Sequence, residues 1–482
     1  MGRRLASVMG VVVAGSSMVM LPAAAVSLLS REWTVALQIF GAALLTGACG
    51  AASWRFVGKP GQLSTKEGFA VVALSWFAVT AFGTLPYLFT GSLTSPTDAF
   101  FETAAGFTTT GATVITDLAV SPRGILFWRA LTQWMGGMGF VVLSIAVLPL
   151  LGTGGVQLAR AESPGPEPDR LTPRFRETAR RLWLIYAGIT AAAFGLLALG
   201  DMDLFEAASH ALAAVSTGGF GTDPGSVSVF SPYTQWVLVV VMLAAGTSFA
   251  LHYRAARDPG GYLRHPEFRL YAAFIAGSAV VIGIGTWSGG AAAGTIRRAV
   301  FSATALVTGT GFVVDDFGRW PETLQILAVG LMFVGGMAGS TAGAFKVFRV
   351  GVLVKSASRS LQRIVYPNAV SVTRFGRDPV PDHIVRSVQA FFLFYILALV
   401  SGTFLLAALE AVFSSGMDLV TATSAVVSAL GNIGPGLGEV GPSATYAGVS
   451  AGGKWLLSFL MVLGRLEIFP VLLLFTRWLW RR

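Results

Sequence analysis

Four fragments rich in threonine and glycine recur along an otherwise apolar chain. They read FTTTGAT from Phe107, VSTGGFGT from Val215, VTGTGFV from Val307 and ALGNIGPG from Ala429. Glycine admits backbone conformations that direct successive carbonyl oxygens to one side, and threonine hydroxyls add further oxygen ligands. Four such strands around one axis would form a ring of neutral oxygens. Such a ring replaces the hydration shell of an alkali cation and still releases the ion.

The fragments recur once per unit of span, connection and span, which predicts an internal fourfold repeat. Each follows about a dozen small and apolar residues. The helix-start residues in front of these runs are Ser95 to Asp98, Asp201 to Asp203, Gly294 with Thr295, and Gly416 to Asp418. A twelve-residue helix rises about 18 Å, too little for a hydrocarbon core of roughly 30 Å. We therefore expect four half-crossing helices whose C-terminal ends direct partial negative charge at the shared axis.

The composition places these fragments inside a membrane. Of 482 residues, 54% are hydrophobic and only 12% are charged, which is typical of apolar helices rather than a water-soluble domain. Non-helical backbone at membrane depth is tolerated only where protein surrounds it or where it lines a water-filled path. The single cysteine, Cys49, excludes intrachain disulfides and thiolate metal sites. The net charge of +10 reflects basic residues between apolar runs, so it reports topology rather than nucleic-acid binding.

Ten apolar runs predict ten spans. They cover about 5–29, 33–54, 68–89, 124–151, 182–199, 233–251, 270–287, 324–345, 388–413 and 455–480. The first run is long enough to cross and another follows at once, which favours a retained span over a cleaved signal peptide. Basic connections, including segment 159–181 with six arginines and four acidic residues, are expected on the cytoplasmic side with both termini. The opposite connections carry the acidic residues.

Several longer motifs resemble the TrkH branch of the Trk/Ktr/HKT superfamily of potassium transporters over essentially the whole chain. The motifs are QWMGGMGF (133–140), LPLLGTGGVQLARAESPGP (148–166), LTPRFRETARRLWLIY (171–186), GGMAGSTAGAFK (335–346), GNIGPGLG (431–438) and GRLEIFP (464–470). The resemblance implies an all-α integral membrane fold with four pseudo-symmetric span, pore-helix and span repeats after two extra N-terminal helices. It also implies potassium uptake across the cell inner membrane, a homodimer, and a cytosolic NAD- or ATP-binding regulatory subunit resembling TrkA. No covalently bound cofactor is expected.

On this resemblance the chain divides into two N-terminal helices (1–62) and repeats at 63–158, 159–252, 253–360 and 361–482. The implied filter residues are Thr108, Thr109, Thr110 and Gly111; Ser216, Thr217, Gly218 and Gly219; Thr308, Gly309, Thr310 and Gly311; and Gly431, Asn432, Ile433 and Gly434. The fourth copy lacks threonine, so its oxygens must come from backbone or Asn432. In relatives that carry sodium a serine commonly replaces the first filter glycine. Gly111 therefore favours potassium, with rubidium and some sodium also passing.

Two further features have two interpretations each. Gly335, Gly339 and Gly343 are spaced for helix packing, but a stretch this rich in glycine also suggests a broken helix. The resemblance implies an intramembrane gating loop, with implied gating residues Gly335, Gly336, Gly339, Ser340, Thr341, Gly343, Lys346 and Arg465. Arg465 is either half of a structural ion pair or a cation below the filter that opposes ion entry. Lys346 is expected to snorkel to the cytoplasmic face.

Other protein classes fit less well. A sodium- or proton-coupled secondary transporter, or symporter, should show inverted repeats, whereas these repeats run in parallel. An intramembrane hydrolase needs paired catalytic groups within the spans, and the sequence shows no HExxH motif and no histidine pair. His210 and Glu102 occupy aligned positions in the half-crossing helices, and we expect both to hold those helices in place. We therefore expect an ion-conducting protein and no enzyme.

Overall fold

The computed structural model describes residues 2–57, 64–139, 175–289, 292–368, 372–376, 378–413 and 416–480. Within them the chain is mostly α-helical. Outside four helices described below, the helices of 14 or more residues are Gly2–Leu29, Trp33–Val57, Thr65–Gly83, Arg123–Gly137, Phe175–Ala198, Pro232–Ala245, Pro266–Gly285, Val347–Val365, Asp382–Phe413 and Ala451–Arg465. The shorter ones are Leu85–Thr90, Phe249–Ala255, Gly261–Arg264, Glu322–Val334, Phe469–Leu474 and Arg477–Trp480. A two-stranded hairpin pairs Arg374–Phe375 with Asp378–Pro379 in the third basic connection.

Length and composition confirm the predicted helical membrane fold. Among the described residues, six helices are long and apolar enough to cross a bilayer, and the pair Pro232–Ala245 and Phe249–Ala255 would make a seventh span, bent by 98°. The predicted span 124–151 is described only as far as residue 139, and the basic segment 159–181 only from residue 175. The rest of both lies outside the described residues.

Four half-length helices appear where the threonine and glycine fragments predicted them. They are Pro96–Phe107, Leu204–Val215, Ala292–Thr308 and Leu419–Gly431, called half-length helices 1 to 4 below. Helices 1, 2 and 4 are capped by Ser95, Asp203 and Asp418. Each side chain accepts a hydrogen bond from the backbone N–H group three residues later, which has no partner inside the helix. Helix 3 has 17 residues and is already helical at Ala292, so its predicted start at Gly294 is too late.

Three of the predicted spans are not continuous helices. The run 233–251 bends at residues 246–248, and the run 324–345 is helical only to Val334. The run 455–480 breaks after Arg465, because Glu467 and Ile468 adopt left-handed φ angles of 56° and 63°. Hydropathy reports burial in an apolar environment but not helix continuity, so composition alone could not locate these breaks.

Candidate functional site: a ring of four backbone segments

The four segments that follow the half-length helices meet in a closed ring. These are residues 108–111, 216–219, 308–311 and 431–434, called ring segments 1 to 4 below. The last glycine of each lies so close to the third carbonyl of a neighbour that an added Cβ would overlap it. The distances from the Cβ position are 2.1 Å from Gly111 to Gly218 O, 1.9 Å from Gly219 to Thr310 O, 1.8 Å from Gly311 to Ile433 O, and 2.7 Å from Gly434 to Thr110 O. Each segment therefore touches the next, and segment 4 returns to segment 1.

Every ring segment has the same backbone conformation. Its second and fourth residues adopt left-handed φ angles, at Thr109 and Gly111, Thr217 and Gly219, Gly309 and Gly311, and Asn432 and Gly434. For a β-branched residue such as Thr109 or Thr217 this conformation is costly and is kept only where the surroundings impose it. The same pattern of φ angles therefore occurs in all four segments, with strained threonines in segments 1 and 2 and glycine at both positions in segment 3.

The amide groups of the ring segments turn back towards their own helices. Third- or fourth-position amides donate to carbonyls in the last turns of those helices, so the segment carbonyls are not used in this bonding. The pairs are Thr110 to Ala105 O (2.8 Å), Gly218 to Ala213 O (2.8 Å), Gly311 to Ala305 O (3.3 Å) and Ile433 to Ser428 O (3.1 Å). All the threonine, serine and asparagine side chains of the ring are buried. Irregular backbone is thus enclosed by protein, as membrane depth requires.

Asn432 makes side-chain contacts in segment 4 that differ from those of the threonines in the other segments. In segments 1 and 3 the first and third threonine hydroxyls lie 2.7 Å apart. In segment 4, which has no threonine, the Asn432 side-chain amide donates to Thr110 Oγ1 (3.1 Å) and to the Met461 carbonyl (2.9 Å). Asn432 Oδ1 and Thr109 Oγ1 are buried and have no partner among the described residues. The described residues therefore leave the hydrogen-bonding capacity of both oxygens unused.

The carbonyl groups of the ring differ in the hydrogen bonds that they accept. Gly218 O accepts from Gln133 Nε2 at 2.6 Å, while Gly434 O accepts from Ser428 Oγ at 2.8 Å and Tyr446 Oη at 2.9 Å. Sequence reasoning missed Gln133 and Tyr446 as ring-supporting residues. Gln133 opens the QWMGGMGF motif, so its presence there was a usable signal.

A buried ion pair joins the outer sides of segments 1 and 2. Glu102 on half-length helix 1 accepts from Arg129 Nε at 2.7 Å, with side chains 0% and 1% exposed. Glu102 also accepts from the Val114 amide. Arg129 reaches the Gly221 carbonyl at 3.2 Å and lies over the Phe220 ring at 4.0 Å. The structural role predicted for Glu102 agrees with this geometry.

We expect Glu102→Gln to destabilise the protein by about 3–5 kcal/mol, because it leaves the Arg129 charge buried without its carboxylate. Thermal unfolding of the purified protein in detergent should show a clearly lower Tm. The matched control is Glu177→Gln, which removes a partner of Arg181 from a half-exposed pair and should change the Tm little. Equal effects of the two variants would contradict a supporting role for the buried pair.

His210 occupies the corresponding position in half-length helix 2. Its Nδ1 lies 2.8 Å from the Glu206 carbonyl of the same helix, and its ring packs between Phe230 and Phe312. Phe312 follows ring segment 3 directly. His210 therefore contacts the residue after ring segment 3 through its aromatic ring, whereas Glu102 pairs with Arg129, which in turn reaches the residues after ring segment 2.

The glycine-rich stretch 335–346 is a loop, so the helix-packing interpretation is wrong. The preceding helix ends because Gly335 adopts a φ of 77°, and Gly339 repeats that angle. A Cβ on Gly343 would lie 2.6 Å from the Gly431 carbonyl, which places the loop against ring segment 4. Thr341 Oγ1 contacts the Val215 carbonyl (3.1 Å), at the end of half-length helix 2. The loop thus lies across the side of the ring where the half-length helices end.

Other contacts tie the ends of this loop to its surroundings. The Met337 amide donates to the Gly246 carbonyl at 2.9 Å, beside the bend between Pro232–Ala245 and Phe249–Ala255. The Val347 amide donates to the Gly336 carbonyl at 3.0 Å. Ser340 Oγ donates within the loop, to the Met337 carbonyl. The loop is therefore a folded element with defined anchors.

Arg465 holds the middle of the loop. Its Nη1 donates to the Thr341 carbonyl at 2.7 Å and its Nη2 to the Gly136 carbonyl at 2.6 Å. Gly136 lies against half-length helix 1, because a Cβ there would be 1.7 Å from the Phe107 carbonyl. One guanidinium therefore links the loop to the wall of the ring.

The prediction that Lys346 snorkels to the surface is wrong. The residue is only 6% exposed, and its Nζ lies 3.1 Å from Glu467 Oε1. Arg349 pairs with the same carboxylate. The break after Arg465 turns Glu467 towards the end of the loop, which hydropathy could not reveal.

Multiple spans, four half-length helices and a central ring define a helical membrane transporter. The model of the TrkH family, described as "Cation transport protein", matches residues 37–265 and 279–480. The chain belongs to this family, which confirms the predicted family and the expectation of a transporter rather than an enzyme.

Relatives and a solved structure agree over the full length. The Trk system potassium uptake protein TrkH of Halomonas elongata is 40% identical over 490 residues, which cover 100% of this chain and 99% of that protein. TrkH of Escherichia coli K12 is 38% identical over 431 residues, 88% of each chain. The crystal structure of the potassium transporter TrkH from Vibrio parahaemolyticus matches with a TM-score of 0.87 and 35% identity, covering 100% of both chains.

Proposed function

We propose that this protein takes up potassium ions across the cell inner membrane through the ring of four backbone segments. The closed cycle of glycine contacts carries this proposal, because it brings four carbonyl-bearing strands to one place inside the protein. Neutral oxygens in such a ring can replace water around an alkali cation. The relatives' names, which specify potassium uptake, support the choice of ion.

In this proposal the ring ligands are the carbonyl and hydroxyl oxygens of residues 108–111, 216–219, 308–311 and 431–434. Asn432 Oδ1 and Thr109 Oγ1 add two buried acceptors that have no partner in the described part of the chain. Only the fourth position is glycine in every segment. We expect fewer tight sites than in channels with a Gly-x-Gly filter, and therefore passage of rubidium and some sodium.

The loop 335–346 is the proposed gate. It lies against ring segment 4 and half-length helix 2 and is held by Arg465, so ions leaving the ring meet this loop. Thr341 provides the central contact, and Lys346 fixes the loop's end through its ion pair with Glu467. Opening requires the Arg465 and Thr341 contacts to break together.

We expect Arg465→Ala to raise rubidium flux severalfold, because the guanidinium hydrogen bonds to the Thr341 and Gly136 carbonyls no longer hold the loop closed. Flux into proteoliposomes would be compared with Arg465→Lys, which keeps the charge but loses the forked geometry. If the paired hydrogen bonds of Arg465 keep the loop closed, Arg465→Lys should have the same raised flux as Arg465→Ala. If the positive charge itself repels ions, Arg465→Lys should have the wild-type flux. Wild-type flux in Arg465→Ala would contradict both roles.

The proposal includes the assembly and topology implied by the family resemblance. The chain would act as a homodimer with a cytosolic NAD- or ATP-binding regulatory subunit resembling TrkA. Both termini would lie in the cytoplasm. Two N-terminal helices would precede four repeats, at 63–158, 159–252, 253–360 and 361–482. Each repeat would contribute one half-length helix and one ring segment.

The test is ion uptake into proteoliposomes that contain the purified full-length chain. Potassium and rubidium should enter and compete with each other, and sodium should enter more slowly. Uptake that is equal for all three ions, or no uptake above empty liposomes, would overturn the proposed function.

A further inference from the structure

A cleft of about 460 Å³ lies away from the ring, between the connection after ring segment 3 and the end of helix Pro266–Gly285. Its lining residues are Thr286, Arg298, Asp315, Asp316, Arg319, Trp320 and Pro321. In the proposed topology this is the outer face of the protein. The cleft thus brings two arginines and two aspartates together at a place where no function has been assigned.

One of the two charge pairs is satisfied within the protein. Asp316 lies 3.3 Å from Arg319 Nε and accepts from Ser443 Oγ at 2.8 Å and from the Gly318 amide at 3.0 Å. Each of its two oxygens thus already has at least one partner within the protein, and the pair forms part of the wall of the cleft.

The other two charges do not meet. Asp315 Oδ2 accepts from Trp320 Nε1 at 3.3 Å, and in the described residues its carboxylate forms no ion pair. Arg298 likewise has no ion-pair or hydrogen-bond partner among the residues that the structure describes. A guanidinium and a carboxylate that line one cleft without touching leave space for a molecule that carries both charges.

Several large apolar side chains that are close in sequence to the lining residues are exposed. Ile284, Ile296 and Ile326 are 74%, 54% and 73% exposed, and each lies within five residues of a lining residue. Trp287, adjacent to Thr286, is also exposed. Tryptophan concentrates where hydrocarbon meets the headgroup region of a bilayer. These side chains suit acyl chains, which a soluble zwitterion would lack.

We infer that this cleft binds the headgroup of phosphatidylethanolamine. The lipid phosphate accepts hydrogen bonds from Arg298, and the lipid ammonium donates to the Asp315 carboxylate. Both contacts are charge-assisted, and the planar guanidinium suits a phosphate. The acyl chains then run over Ile284, Ile296 and Ile326. Phosphatidylglycerol could satisfy Arg298 but offers no cation to Asp315.

Native mass spectrometry of the full-length protein in detergent, titrated with each lipid, tests the inference. Phosphatidylethanolamine should bind more tightly than phosphatidylglycerol. Arg298→Gln should weaken both lipids by roughly tenfold, the loss typical of one charge-assisted hydrogen bond. Asp315→Asn should weaken phosphatidylethanolamine alone. The control is Arg123→Gln, which alters a half-exposed arginine paired with Asp203 at 3.2 Å in another connection.

Three outcomes would overturn the inference. One is equal lipid binding by the wild type, Arg298→Gln and Asp315→Asn. Another is a wild type that prefers phosphatidylglycerol. The third is soluble phosphoethanolamine binding as tightly as the lipid, which would assign the cleft to a soluble ligand. Rubidium uptake by each variant at the wild-type rate shows that the fold is intact.

Discussion

Gly111→Ser is expected to lower the preference for potassium over sodium by about tenfold or more, equivalent to about 1.4 kcal/mol. Gly111 has a φ of 78°, which an L-residue adopts at a cost of roughly 1–2 kcal/mol. Its Cβ would also overlap the Gly218 carbonyl, which is fixed by Gln133. Segment 1 or segment 2 must move, and the ring loses its fit to the ion. Paired rubidium and sodium fluxes in proteoliposomes measure the effect.

A control variant, Gly91→Ser, distinguishes an effect on the ring from the general effect of backbone strain. Gly91 has a φ of 69°, but nothing lies within 4 Å of its Cβ position. Gly91→Ser therefore imposes a similar conformational cost outside the ring and should leave selectivity unchanged. If Gly111→Ser keeps wild-type selectivity while the protein remains folded, the assignment of residues 108–111 to the filter is wrong.

Deleting residues 339–342 is expected to raise rubidium flux by roughly tenfold or more. The deletion removes Thr341, and with it the carbonyl that Arg465 binds and the hydroxyl that reaches Val215 and Ala245. A charge-assisted bond contributes about 1.5–3 kcal/mol and a neutral one about 1 kcal/mol. Because each 1.4 kcal/mol changes a two-state population about tenfold, their loss should shift the loop strongly towards the open state.

Two point variants calibrate this deletion. Thr341→Ser keeps the hydroxyl and should conduct like the wild type, whereas Thr341→Val keeps the shape without the hydroxyl and should give an intermediate flux. The same proteoliposome assay serves all three proteins. A deletion variant with wild-type flux would contradict the proposed gating role of the loop. It would not bear on the proposed role of the ring.

Residue types and spacing predicted the half-length helices and the ring positions well. Ser95, Asp203 and Asp418 are local signals, because capping depends on the next three residues. The recurring glycines are equally local, since each marks a left-handed position in its own segment. The capping residues and the glycine positions could therefore be predicted from the sequence without knowledge of the rest of the fold.

Features that depend on distant contacts were not predictable in the same way. Lys346 looked like a residue at a span end, but the chain reverses after Arg465 and brings Glu467 to it. Gln133 lies 85 residues from the Gly218 carbonyl that it holds. Hydropathy carries no information on such partners. The glycine content of residues 335–346 suggested a broken helix. The contacts that Thr341 and Gly343 of this loop make with other elements required the structure.

The central claim is that potassium passes through the ring. The most direct measurement is a structure of the purified protein in rubidium, with anomalous scattering used to locate the ion. We expect a rubidium ion on the axis between the carbonyls of Thr110, Gly218, Thr310 and Ile433. This ion should be absent in Gly111→Ser. Rubidium bound only elsewhere in the protein, with none inside the ring, would contradict the account.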